Sequence, residues 1–195
     1  MIKKIIIISF LFALTTQLIS AESYKSHHEK MHGKGSSGHG HMDHDEVNMP
    51  GLQGKDTTEL EVNDLKNIFI NHKKIERNVT NIPNGIKTVT LSTNPEVRQS
   101  IVNHVSMMVT RMQENKNPEV IIQSPTLTEL FKHYDKIETE IELTNTGVQI
   151  IQTSQDPEVV SLLQKHAAEI SDMVERGMQA VHDRMMRSER PKTLE

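Results

Sequence analysis

Six histidines, His27, His28, His32, His39, His41 and His44, crowd into one short tract together with Met31, Met42, Met49, Asp43 and Asp45. Imidazole nitrogen ligates Cu(II), Ni(II) and Zn(II), and thioether sulfur suits Cu(I), so a flexible chain of this composition can fold several donors around one ion. The spacing His39-x-His41-x-x-His44 lets neighbouring rings converge without strain. The expected ligands are His27, His28, His32, His39, His41, His44 and Met42, with copper the first-choice ion. A second reading stands beside it: a solvated, pH-responsive tail whose metal affinity is incidental, because such tracts bind metals whatever their use.

Two further histidines, His104 and His166, occupy equivalent points of a sequence repeat described below, each seven residues beyond the Val of an Asx-Pro-Glu-Val run. On a helix His104 shares a face with Ile101, Val105 and Met108, and His166 with Leu162, Leu163 and Ile170, so both rings are expected to be at least partly buried. Brought together, they could form a bis-imidazole site for a metal ion or for haem b. The alternative is that each ring donates a hydrogen bond to its own hairpin, a structural role repeated because the unit is repeated. Met178, His182 and Met185 form a stripe on the last helical stretch, and methionine at that spacing is usually packing. Glu76 and Glu138 repeat beside Lys74 and Lys136 and are read as exposed ion pairs. No Gly-rich phosphate loop, HExxH, GxSxG or thiol nucleophile is present, so nothing in the sequence singles out catalysis.

The elements that must position these residues follow from composition and pattern. The 195-residue chain contains no Cys and no Trp, and aromatics make up only 3%. Disulfides, thiolate metal sites and covalent c-type haem are therefore excluded, and the core must be built from Ile, Val, Leu and Met. Lys3 and Lys4 precede an apolar run from Ile5 to Leu14 and a small residue at Ala21, the pattern of a cleaved signal peptide over 1–21 and hence of a periplasmic or secreted protein. Loss of Lys3 and Lys4 moves the formal charge from −4 to −6, which argues against nucleic acid as a partner. Residues 22–56 lack apolar periodicity and read as a disordered arm, leaving 57–195 to fold.

Within that folded part, a shift of 62 positions lays residues 65–112 on 127–174 without a gap. Phe69/Phe131, Ile75/Ile137, Gly85/Gly147, Ser92/Ser154, Pro95/Pro157, Val97/Val159 and His104/His166 are among the identical pairs. Each copy, about 60–116 and 122–190, shows the same grammar. A short helix leads to a β-branched strand, then to a turn with Gly85 or Gly147 supplying a positive φ, then to a second strand. Asn94-Pro95-Glu96 or Asp156-Pro157-Glu158 then starts a long helix, to about Glu114 in one copy and about Arg187 in the other. The expected fold is α+β: an internally duplicated helix-hairpin-helix unit giving a four-stranded antiparallel sheet with long helices packed on one face.

The runs KIER…NG…TLSTNPEVRQSIVNHV and LFKHYDKIE…TG…QTSQDPEVVSLLQKHAAEISDMVERGM resemble a family of exported bacterial proteins built on this tandem repeat. The resemblance spans roughly residues 65–178, implies the fold and the exported location, and assigns no site residue.

These readings lead to a periplasmic metal-binding protein that captures copper or another transition metal through its arm. The alternatives are a non-catalytic module holding haem or a small molecule between the two copies, or a symmetric assembly protein with no ligand. Expected partners are the metal ion, a second copy of the chain, or a periplasmic redox or metal partner. Deleting residues 22–50 should abolish most copper binding in a titration, whereas unchanged stoichiometry and affinity would contradict the assignment to the arm.

Overall fold

The computed structural model describes residues 49–188, so the signal-peptide segment and nearly all of the His/Met-rich tract lie outside the described residues. The described chain is α+β, with five α-helices and one four-stranded antiparallel sheet. Helix α1 (Glu59–Ile70) leads through a 3-10 turn to strands β1 (Glu76–Ile82) and β2 (Gly85–Leu91), then to the long helix α2 (Pro95–Gln113). The same order follows in α3 (Pro125–Lys132), a 3-10 turn, β3 (Glu138–Leu143), β4 (Gly147–Thr153) and α4 (Pro157–Arg176), before α5 (Met178–Ser188), the last element among the described residues.

The local chemistry explains the helix starts. Asn94 Oδ1 accepts hydrogen bonds from the backbone N–H groups of Glu96 and Val97 at 3.0 Å, and Asp156 Oδ1 accepts that of Glu158 at 3.0 Å. These bonds satisfy amides that have no partner inside the helix, while Pro95 and Pro157 occupy a first-turn position where a missing N–H costs nothing. Helix α1 begins with a capping box, Glu61 N–H donating to Thr58 and the Thr58 N–H donating to Glu61.

Strand order is β1-β2-β4-β3, so the two hairpins join through β2 and β4. Their register sets Thr88 opposite Ile150, Gly85 opposite Thr153 and Leu91 opposite Gly147. Beyond the strand ends, Ser92 N–H donates to Thr146 O and Ser154 N–H donates to Asn84 O, both at 2.9 Å. Each hairpin is thus clasped at the other's turn. Gly85 and Gly147 were expected to supply positive φ, but neither does; among the described glycines only Gly177 has φ above zero. Their role is close approach, since a Cβ at Gly85 would collide with the Gln152 carbonyl and one at Gly147 with that of Thr90.

The helices pack crosswise on one face of the sheet. Helix α2 lies over β4 and β3, and α4 over β2 and β1. Val97 and Ile101 of α2 accordingly cluster with Val148 of β4, whereas Val159, Leu163 and Ala167 of α4 cluster with Ile86 of β2. Each hairpin therefore buries the other half's long helix.

A third cluster, around Phe69, Met173, Ala180 and Val181, includes Leu52 and Met49. The packed chain thus reaches back at least to Met49, inside the tract that composition assigns to the arm. A truncation that spares the core must end before Met49. The long helix expected to run to about Arg187 breaks instead at Gly177, whose φ of 55° and ψ of −130° no side-chain-bearing residue adopts cheaply. His72 explains the break's fixed position: its ring fills the space a Cβ at Gly177 would need, and its Nδ1 lies 2.9 Å from Val174 O.

Candidate functional site

The inward face of the sheet is more polar than a buried face should be. Alternation directs Arg77 of β1, Thr88 and Thr90 of β2, and Gln152 of β4 toward the helices. Both threonines are buried. Beneath the helices these side chains line a cavity of about 260 Å³, whose other walls include His104, Met108 and Met112 of α2, Leu130 of α3 and His166 of α4.

The cavity gathers unpaired polar atoms. Arg77 Nε, Gln123 Oε1, His166 Nδ1 and Glu169 Oε2 are buried without a hydrogen-bond partner, and all four residues line it. Unsatisfied buried groups are rare in folded proteins, and a cluster of them around one hollow calls for an explanation. Arg77 is the most costly. Its Nη1 donates to Thr90 Oγ1 at 2.8 Å, but no carboxylate pairs with it among the described residues, and burial alone pulls its pKa down to about 10.

Arg111 of α2 shows the ordinary solution. Its Nε and Nη2 hold the two Glu61 oxygens at 2.7 and 3.1 Å, and its Nη1 meets Asp56 Oδ1 at 2.8 Å. Burial by itself would push the Glu61 pKa up, but Arg111 and the Thr58 bonds together hold it below the usual carboxylate value.

His104 and His166, singled out from the sequence, line the same cavity, and a charge on His166 would depress the basicity of His104. Burial is the main cause that pushes His104 down to about 4, against the opposing pull of Asp64 and Glu61. Its imidazole is therefore neutral at physiological pH. On His166 the Nδ1 lies 3.8 Å from Glu169 Oε2, beyond hydrogen-bond length. The nearby imidazole, and then the Ser124 and Thr126 hydroxyls, still hold Glu169 down at about 2. Thr126 Oγ1 donates to Glu169 Oε1 at 2.7 Å. No hydrogen bond ties either ring to its own hairpin among the described residues.

Other sequence candidates resolve differently. His27, His28, His32, His39, His41, His44 and Met42 lie outside the described residues, and among those described no three His, Asp or Glu side chains converge to hold a metal ion. Met178 and Met185 pack against the cluster around Phe69 and Val181, as packing methionines do. Lys136 pairs at 2.7 Å with Asp156, the cap of α4, and Lys74 Nζ donates to Asn71 Oδ1 at 2.8 Å, so neither lysine serves the adjacent glutamate. Arg77 was missed by the sequence reading. Its signal was available, a cation at the strand position between apolar Ile75 and Val79 of the same parity.

The buried neutral imidazole generates a pH dependence. His104 is depressed in the fold, so between its unfolded value near 6.5 and its folded value near 4 the unfolded chain binds the extra proton. Stability is then fully present above pH 6.5 and is lost as pH falls toward 4, by about 3 kcal/mol at 1.36 kcal/mol per pKa unit. Thermal melts of the full chain at pH 7 and 4.5 should show this loss, and His104→Leu should flatten it; equal slopes for the two proteins would contradict the assignment. Comparison with protein-family models, with curated proteins and with solved structures finds no match to this chain, so its chemistry rests on these residues alone.

Proposed function

We propose that the protein is a non-catalytic binding module that holds a small organic molecule in the cavity between its sheet and its long helices. One observation carries this reading: four buried polar atoms without hydrogen-bond partners border a hollow whose remaining walls are mostly Met, Leu, Ile and Val, with Thr88, Thr90, Gln152 and His104 among them. An apolar pocket with a few convergent polar groups is the usual form of a small-molecule site. The two sequence repeats each contribute one histidine, one long helix and one hairpin to it, in keeping with an internal duplication whose joint became a binding site.

Size narrows the choice. Pockets for drug-sized ligands span ~300–1,000 Å³, and 260 Å³ falls just below that range. The volume therefore favours a ligand smaller than haem b, although the neutral ring of His104 is the form that ligates iron or copper. Metal capture by the His/Met tract is a second reading, favoured by the clustering of six histidines in residues 27–44. The two are compatible, because they use different parts of the chain.

Native mass spectrometry of the full chain purified from its own host tests the first reading. A bound organic species should accompany the polypeptide and be lost in Met108→Trp, which narrows the cavity from the α2 side. A Soret band in the same sample would assign the cavity to haem instead. The bare polypeptide mass from the unsubstituted chain would refute the binding-module reading.

A further inference from the structure

Resting on that reading, Arg77 of β1 and Arg111 of α2 differ in a way that defines the ligand's charge. Arg111 offers the Nε–Nη2 edge of its guanidinium to both oxygens of Glu61. Arg77 presents the same edge to nothing: Nη1 is taken by Thr90 Oγ1, Nε is buried without a partner, and Nη2 makes no hydrogen bond to a described residue. The fold has thus left one fork open on a half-buried guanidinium whose Nε is buried, with its cation uncompensated among the described residues. Removing a carboxylate from such a pair ordinarily leaves a strongly unfavourable buried charge.

We propose that Arg77 is the anion anchor of the cavity, and that the ligand is an amphipathic organic carboxylate whose head forks onto Nε and Nη2. Its apolar body then lies against Met108, Met112 and Leu130, which line the same hollow. Planarity supports a carboxylate, since the guanidinium edge matches two coplanar oxygens. Charge supports a monoanion. His104 is neutral, and Glu169 adds a negative charge to the wall, so a phosphate monoester carrying nearly two charges would be repelled by that carboxylate more strongly than a monoanion.

The absence of symmetry is part of the case. The position equivalent to Arg77 in the second half is Thr139, whose Oγ1 accepts a bond from Gln152 Nε2 at 3.4 Å. Only one end of the cavity therefore carries the fork, so a ligand would bind in a single orientation with its head against the helix-facing side of β1.

Calorimetric titration of octanoate and of 1-octanol into the full chain tests the assignment, with Arg77→Met as the variant. Methionine matches the apolar neighbours and removes a buried charge, so the variant should fold and melt no lower than the unsubstituted chain. Octanoate should bind the unsubstituted chain and weaken on the order of tenfold to a hundredfold in Arg77→Met, the span expected for a charge-assisted fork. Octanol should bind both proteins alike. Equal octanoate affinity in the two proteins would overturn the anchor and leave the cavity reading standing if octanol binds. Failure of both probes to bind the unsubstituted chain would overturn the anchor and the cavity reading together.

Discussion

The pairing of β2 with β4 is the constraint on which the rest of the structure depends. It is the seam between the hairpins, and it holds only because Gly85 and Gly147 let each strand start against the other's backbone. The clasps from Ser92 to Thr146 and from Ser154 to Asn84 fix where each chain leaves the sheet. Those exits send α2 chiefly over β4 and α4 chiefly over β2, so each long helix buries most of its sheet-facing side against the other half's hairpin. Helix burial and sheet closure are thereby one cooperative event, as expected when the contacts that stabilise an element lie far away in sequence.

Between the long helices and the sheet lies the hollow. It is bordered by polar side chains that an apolar core would exclude: Arg77, Thr88, Thr90 and Gln152 from the sheet, His104 and His166 from the helices. Proteins of this size satisfy nearly all their buried polar groups, as this one does at Arg111 and at both helix caps. Departures concentrated around one cavity mark it as the place where the protein meets something other than itself.

Much of the architecture was legible because the same local signals recur in the two halves of the sequence. The Asx-Pro-Glu-Val runs located the starts of α2 and α4 to the residue, and the β-branched runs on either side of each turn are the four strands. Errors arose where tertiary contacts rather than local propensity decide. The glycines of the two turns serve strand approach instead of turn geometry, and Gly177 ends α4 because His72 occupies the space beside it. The site was half legible. Looking for identical pairs found His104 and His166, which do share a cavity, but it hid the unlike pairs, Arg77 against Thr139 and Glu169 against Met107. A repeat shows what both halves need for folding, whereas a ligand with two different ends is met by what the halves do not share.

The seam itself can be tested by nuclear magnetic resonance on a mixture of two differently isotope-labelled chains. Backbone contacts between Thr88 and Ile150, and between Ile86 and Gln152, should be strong within a single labelled chain and missing from the spectrum filtered for contacts between chains. Contacts seen only between chains, or a β2 whose outer edge meets neither β4 nor its residues, would show that the hairpins do not join in this way, and the cavity built upon their union would go with it.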